Sequence, residues 1–205
     1  AVNICYIIGA GECAPMDFDP GETALLIAAD GGYRAVCDAG MRPDLIVGDF
    51  DSLGGVPTDA PVIRCPVEKD DTDTMIAIKE GLARGYQRFQ IYGGLGGRLD
   101  HTIANLHALA YLADHGARGR LVGVREYVDI LPAGTSTVYY EGRGVISIFA
   151  WGGNATGVTL TGLHYPLHDA ILTPNFPLGV SNDFTGLPAH VSVRTGKLIV
   201  IINRS

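Results

Sequence analysis

Four polar clusters in the first 124 residues each follow a short apolar run, and this alternation limits the possible folds more tightly than any bulk property. Ala24–Ala29 runs into Asp30-Gly31-Gly32. Asp44–Val47 runs into Gly48-Asp49-Phe50-Asp51-Ser52. Val62–Cys65 leads to Lys69-Asp70-Asp71-Thr72-Asp73, and Phe89–Tyr92 leads to Gly93-Gly94-Leu95-Gly96-Gly97-Arg98-Leu99-Asp100-His101. Apolar runs of this length read as strands buried on both faces. Helices are expected over Tyr33–Ala39, from the Asp70–Asp73 cluster to about Arg84, and over Leu99–His115, with further strands at Val2–Ile8 and Leu121–Val124. Strand–helix alternation of this kind builds a parallel sheet, and such sheets bind ligands at the carboxyl ends of their strands. The four clusters are therefore expected to meet along one edge.

Each cluster has its own chemistry. If the strand before it continues, Asp49 and Asp51 point the same way, because strand side chains alternate with period two. Two carboxylates that close repel each other, and a divalent cation with a preference for oxygen relieves the repulsion; otherwise they form a solvated acidic turn. Asp30 stands where it can cap the following helix, for about 1 kcal/mol, or accept a hydrogen bond from a ligand hydroxyl. The acids of Asp70–Asp73 exceed what helix capping requires. Lys69 beside them can reach phosphate oxygens. Gly93, Gly94, Gly96 and Gly97 let the backbone approach a ligand closely, and Arg98 offers a planar cation suited to phosphate. In the helix that follows, Ile103, Leu106, Leu109, Ala110 and Ala113 are expected on the inner side, with His101 and Asn105 one turn apart. His101 is expected to support its neighbours rather than react.

Gly9-Ala10-Gly11-Glu12-Cys13-Ala14 fits the G-x-G-x-x-A dinucleotide fingerprint, with Asp30 about 20 residues on. That fingerprint needs a helix to begin within the glycines. Pro15, Asp17, Asp19, Pro20 and Gly21 break one at once. An NAD-dependent oxidoreductase is set aside on this ground, although the glycine N–H groups of the loop remain available for a phosphate.

From Arg125 the pattern changes to short β-rich runs punctuated by glycine, which gives an N-terminal α/β domain over residues 1–124 and a C-terminal β-sandwich over 125–205. Val191–Ile201 reads as a hairpin turning near Thr195-Gly196, and Gly179-Val180-Ser181-Asn182 reads as a turn. The formal net charge of −7 argues against a nucleic-acid groove or a membrane surface as partner. An anionic ligand would need local help from a cation, backbone N–H groups or a few Lys and Arg. Four cysteines without C-x-x-C spacing and no leader-like segment before them suggest reduced thiols and a cytoplasmic protein.

Taken in order, Asp30-Gly31-Gly32, Gly48–Ser52, Lys69–Asp73, Gly93–His101 and, more weakly, Gly179–Asn182 resemble the thiamine pyrophosphokinases over nearly the whole chain. The resemblance implies a Rossmann-like α/β domain, a β-sandwich, and a homodimer with thiamine bound between the α/β domain of one subunit and the sandwich of the other. It implies transfer of the pyrophosphoryl group of ATP to the thiamine hydroxyl, with AMP as the second product. It implies that Asp49, Asp51 and Asp73 hold Mg²⁺. Lys69 and Arg98 would steady the transferring group, and Asp100 would orient the thiamine hydroxyl or take its proton. Asp30, Gly31, Asp70, Asp71 and the Gly93–Gly97 loop would shape the nucleotide site. Ser181 and Asn182 would contact the thiamine aminopyrimidine, with Phe184 and Trp151 as candidates to stack on it. Two other readings share the donor site: a Mg²⁺-dependent phosphotransferase acting on another small alcohol, and a non-catalytic sensor of nucleotide or thiamine.

Overall fold

A computed structural model of the chain describes residues 3–21, 23–49, 55, 57–58, 60–65 and 70–204. The chain divides into two compact units, Ala1–Val124 and Arg125–Ser205.

Among the described residues the first unit carries six strands: β1 (Cys5–Ile8), β2 (Leu25–Ala29), β3 (Leu45–Gly48), β4 (Val62–Arg64), β5 (Arg88–Tyr92) and β6 (Arg118–Val122). Its helices are α1 (Gly32–Asp38), α2 (Asp73–Ala83) and α3 (Leu99–Asp114). The strands lie in the order β6-β5-β1-β2-β3-β4, and every pair is parallel. From β1 the chain lays down β2, β3 and β4 on one side, then returns through α2 to place β5 on the other. The order therefore reverses between β1 and β5. In β1, β2 and β3 every residue is buried, as expected for strands covered on both faces. One face is covered by α2, which packs on β1, β2 and β3, and by α3, which packs on β6.

The other face is covered unusually. The described residues of the connection from β1 to β2 contain no helix, so the G-x-G-x-x-A run fails as a dinucleotide fingerprint. Irregular chain takes the helix's place and supplies Ala14, Met16 and Phe18 to a cluster with Tyr6, Ile8, Val36 and Tyr92. The Phe18 ring stacks on Tyr6 with centroids 3.9 Å apart and planes 2° from parallel. Side chains thus fill the layer that a crossover helix normally fills.

α2 is capped by Thr72, whose Oγ1 accepts from the Met75 N–H at 3.2 Å, and not by the neighbouring acids. Within α2, Gly81 lets the helix approach the sheet closely: a Cβ there would lie 2.5 Å from the Phe89 ring and 2.9 Å from Cys5 Sγ. Burial pushes the Cys5 thiol from its ordinary value near 9 up to about 12. The folded state holds that proton where the unfolded chain releases it, so the associated stability, present below pH 9, is lost as pH rises towards 12. An alkylating reagent at pH 8 is expected to label exposed Cys37 in the native protein and Cys5 only after unfolding. Mass spectrometry of the two peptides checks this, and rapid native labelling of Cys5 would contradict it.

α3 corrects one expectation. Its buried residues are Asn105, Ala108, Leu109, Leu112 and Ala113, while Ile103 is exposed. The stripe follows i, i+3, i+4, i+7, i+8, the 3.6-residue period, but it is rotated from the face expected through Ile103 and Ala110.

The second unit carries β7 (Glu126–Leu131), β8 (Thr135–Tyr139), β9 (Val145–Ala150), β10 (Ala155–Thr161), β11 (Leu167–Leu172), β12 (Gly179–Asp183), β13 (Ala189–Val193) and β14 (Leu198–Asn203). Antiparallel sheets of order β12-β9-β14-β7 and β11-β10-β13-β8 share one core that includes Tyr127, Ile146, Ile148, Val158, Leu160, Val191, Leu198 and Val200. This is a sandwich. No hairpin forms across Thr195-Gly196: β13 pairs with β8 and β10, whereas β14 pairs with β7 and β9 in the opposite sheet. The connection is held by the Thr156–Thr195 bridge and by Gly196, where a Cβ would sit 2.3 Å from Asn154 O. Gly179–Asn182 is likewise not a free turn. It lies in β12, whose register on β9 shifts between Gly179 and Asn182, and Ser181 takes a φ of 55° at that irregularity. β11 has no apolar alternation to mark it, being an edge strand in which only Leu172 is fully buried.

Candidate active site

The reversal between β1 and β5 places two glycine loops side by side. Gly9 N–H donates to Tyr92 O at 2.8 Å, and Gly11 N–H donates to Gly93 O at 3.0 Å. A Cβ on Gly11 would lie 2.5 Å from Gly93 O, and one on Gly93, at φ 67°, would lie 2.5 Å from Gly9 O. These glycines allow main chain to pack on main chain. The N–H groups of Gly9 and Gly11 are thereby used within the fold and are not available to a phosphate, contrary to the expectation for that loop. Gly32 makes a third close approach, since a Cβ there would lie 1.9 Å from Ile8 O. The start of α1 therefore rests directly on the end of β1.

Over this junction opens a cavity of about 340 Å³, within the size range of small-molecule sites. Its wall is built from Gly9–Gly11 after β1, Asp30 after β2, Thr72–Thr74 at the start of α2, the Gly93–Arg98 loop after β5, and His101 and Asn105 on α3. Ligands of open α/β sheets bind at such a reversal, beyond the carboxyl ends of the strands.

Asp30 does not cap α1. The cap position is Gly31, one residue further on. Asp30 instead adopts a left-handed φ of 50°, with its N–H donating to Val47 O at 2.8 Å. A non-glycine residue in that region is uncommon and costs conformational energy, which is often stored where ligands bind. Gly31 backs the cavity rather than lining it, with a Cβ there 3.1 Å from that of Ala10. Gly93, Gly94, Gly96 and Gly97 all line it. At Gly97, φ is 63° and a Cβ would meet nothing within 4 Å, so glycine is required there by conformation alone.

Asp73 and Arg98 also line the cavity. Arg98 pairs with Asp100 through two contacts, Nη2 to Oδ2 at 2.5 Å and Nε to Oδ1 at 3.1 Å. This fork holds the Asp100 carboxyl below the usual carboxylate range. Asp100 itself lies outside the cavity lining, so the residue expected to meet the acceptor hydroxyl is engaged with its neighbour. Asp71 pairs with Lys79 at 2.5 Å and Asp70 is exposed, and neither lines the cavity. Asp49 directly follows β3 at the carboxyl edge of the sheet and is half-buried, but it is not in the lining. Asp51 and Lys69 lie outside the described residues.

Among the described residues no cluster of three His, Cys, Asp or Glu is placed to hold a metal. The donor chemistry still fits Mg²⁺. That ion takes hard oxygen ligands, commonly one or two carboxylates completed by water and substrate phosphate, and Asp73 on the cavity wall supplies such a group.

Thr72, Thr74 and Asn105 line the cavity although the sequence suggested no ligand role for them. Asn105 had a readable signal: it is the polar member of an otherwise apolar stripe on α3.

In the second unit, Asn182 is 3% exposed and committed to the fold. Its Oδ1 accepts from the N–H groups of Tyr165 and Asp183, and its Nδ2 donates to Tyr165 O at 2.8 Å. Both oxygen lone pairs are therefore occupied within the fold. Ser181 is exposed, with its N–H bonded to Ser147 Oγ at 3.0 Å. A cavity of about 190 Å³ lies beside them, lined by Leu160, Tyr165, Leu167, Leu178, Gly179, Val180 and Asn182. Phe184 belongs to the sandwich core and Trp151 is half-buried outside that lining, so Tyr165 is the aromatic residue there.

Comparison with known proteins places these features in one family. The profile of the thiamin pyrophosphokinase catalytic domain matches residues 21–120, and that of the thiamin pyrophosphokinase vitamin B1 binding domain matches residues 135–200. The chain is 30% identical over 187 residues to the thiamine pyrophosphokinase of Bacillus subtilis strain 168, across 88% of this chain and 87% of that one. Among solved structures, a thiamine pyrophosphokinase from Bacillus subtilis superposes with a TM-score of 0.86 at 27% identity, covering 99% of both chains. One from Geobacillus thermodenitrificans gives 0.84 at 27% identity, covering 98% of both. With matches over both units and a relative at this identity across most of its length, the chain belongs to the thiamine pyrophosphokinase family.

Proposed function

We propose that the protein transfers the pyrophosphoryl group of ATP to the hydroxyl of thiamine, giving thiamine diphosphate and AMP. The observation that carries this reading is the cavity at the β1/β5 reversal, where Asp30, Asp73 and Arg98 meet a wall of glycines. A polyphosphate needs close backbone, a planar cation and carboxylates for its counter-ion, and this wall offers all three.

In the proposed reaction the thiamine hydroxyl attacks the β-phosphorus of ATP. The new oxygen–phosphorus bond forms as the bond to AMP breaks. Asp49, Asp51 and Asp73 would hold Mg²⁺, which when bound neutralises phosphate charge. Arg98 would leave Asp100 for the transferring group, and Lys69 would add a second positive charge. Asp100, released from Arg98, would orient the attacking hydroxyl or take its proton. Catalysis of this kind rests mainly on positioning and electrostatic stabilisation.

The acceptor would be bound by the second unit of a partner subunit in a homodimer. Exposed Ile171, Phe176, Leu178 and Val180 support an apolar interface on that unit. Tyr165 offers an aromatic face to a cationic thiazolium, and Ser181 an accessible hydroxyl. Asn182 would act indirectly, by fixing the Tyr165 backbone.

The test is product analysis with ATP, thiamine and Mg²⁺. Stoichiometric AMP and thiamine diphosphate are expected. ADP with thiamine monophosphate would indicate a simple phosphotransferase. Nucleotide binding without turnover would indicate a sensor.

A further inference from the structure

Asn105 stands apart from the other residues of the cavity. It is 8% exposed and heads the buried stripe of α3, where Ala108, Leu109, Leu112 and Ala113 follow. Its Nδ2 donates to Gly94 O at 2.9 Å. A carbonyl oxygen only accepts, so the amide group facing it must be the NH₂, and the orientation of the side chain follows from chemistry. The Oδ1 then accepts nothing from the described residues, while the side chain lines the cavity. The side chain is held in one direction within a nearly buried residue, and its oxygen is left to face the cavity. It favours a ligand that brings a donor and penalises one that does not.

We propose that Asn105 is a specificity-determining residue of the nucleotide site, its amide oxygen accepting a hydrogen bond from a donor on the bound nucleotide. The proposal rests on the reading of the cavity as a nucleotide site. The donor is either the exocyclic amine of adenine or a ribose hydroxyl, which share this chemistry. Gly94 belongs to the mechanism because its carbonyl sets the amide. A Cβ at Gly94 would come within 3.2 Å of Asn105 Nδ2 and 3.1 Å of Leu121, so any side chain there would displace the amide.

The experiment measures equilibrium binding of four Mg²⁺-nucleotides by calorimetry, without thiamine: ATP, purine riboside triphosphate, 2′-deoxy-ATP and 3′-deoxy-ATP. The full chain is expected to bind one of the three analogues about tenfold more weakly than ATP. Asn105→Ala is expected to bring ATP down to the level of that one analogue, while the ratios for the other two stay as they were. The identity of the affected analogue tells the amine from the hydroxyl. A structural role alone would weaken all four nucleotides together and leave every ratio unchanged, and that result overturns the proposal. Equal binding of all four by the unsubstituted protein also overturns it, and needs no variant. If Asn105→Ala does not fold, Asn105→Thr is judged by the same ratios, with a melting curve for each protein. Because the assay reads binding, the two conclusions separate. Discrimination without AMP formation removes the proposed reaction and keeps this inference, whereas AMP formation without discrimination does the reverse.

Discussion

Asp49→Asn, Asp51→Asn and Asp73→Asn are each expected to lower turnover at least about 10²-fold. Each exchange keeps shape and removes one negative charge. Loss of charge stabilisation in a site of this kind costs roughly 3 kcal/mol. A carboxylate that helps hold Mg²⁺ should also shift the Mg²⁺ dependence, so the half-saturating concentration is expected to rise in all three variants. Asp73 gives the sharpest form of the test because it lines the cavity at the first turn of α2. Near-normal turnover at unchanged Mg²⁺ dependence would remove these residues from the ion's coordination. Asp71→Asn is the matched control: it lies two residues away, pairs with Lys79 and does not line this cavity, so a change of less than about twofold is expected.

Gly32→Ala is expected to destabilise the first unit by about 3 kcal/mol or more. The added methyl would lie 1.9 Å from Ile8 O, 2.5 Å from Ile8 C and 2.9 Å from Gly9 O. All three are main-chain atoms of β1 and its loop, and they cannot swing aside as a side-chain tip would. Overpacking usually costs about 1–3 kcal/mol, and rigid backbone puts this site at the upper end. A fall in melting temperature on the order of 10 °C follows. Gly153→Ala is the control, since a Cβ there would meet nothing within 4 Å and its backbone is not left-handed; its effect should stay within about 0.5 kcal/mol. Equal melting of the two variants would show that α1 does not rest on β1 in the way described.

The α/β half of the fold was legible because its signals are local. Uninterrupted apolar runs such as Leu25–Ala29 have no plausible place except a strand buried on both faces, and the breaks at Asp30 and Gly93 mark where those strands end. The clusters after β2 and β5 and at the start of α2 could be expected to meet, because a parallel sheet aligns the carboxyl ends of its strands. What those residues touch could not be read. That Arg98 takes up Asp100, that Asp30 bends left-handed instead of capping α1, and that Asn182 spends its oxygen on Tyr165 are matters of angles and partners that no spacing encodes. The sandwich was harder still. Val191–Ile201 has the alternation and the Thr-Gly of a hairpin, yet its two arms pair with distant strands in different sheets, with Thr195 bridged to Thr156 at the crossing. Strand pairing in β structure is settled by distant partners, so local pattern misleads there first.

That crossing has a consequence for how the protein is made. Of the described strands β14 leaves the ribosome after all the others, yet it lies between β7 and β9 in the middle of its sheet. Until it arrives, β7 and β9 each present an unsatisfied row of main-chain donors and acceptors to solvent or to a chaperone. The six parallel strands, by contrast, are all in hand once Val122 has emerged. The nascent chain can settle its first half early, while its second half stays sticky until nearly the final codon of this region, which makes it the part most exposed to aggregation during synthesis.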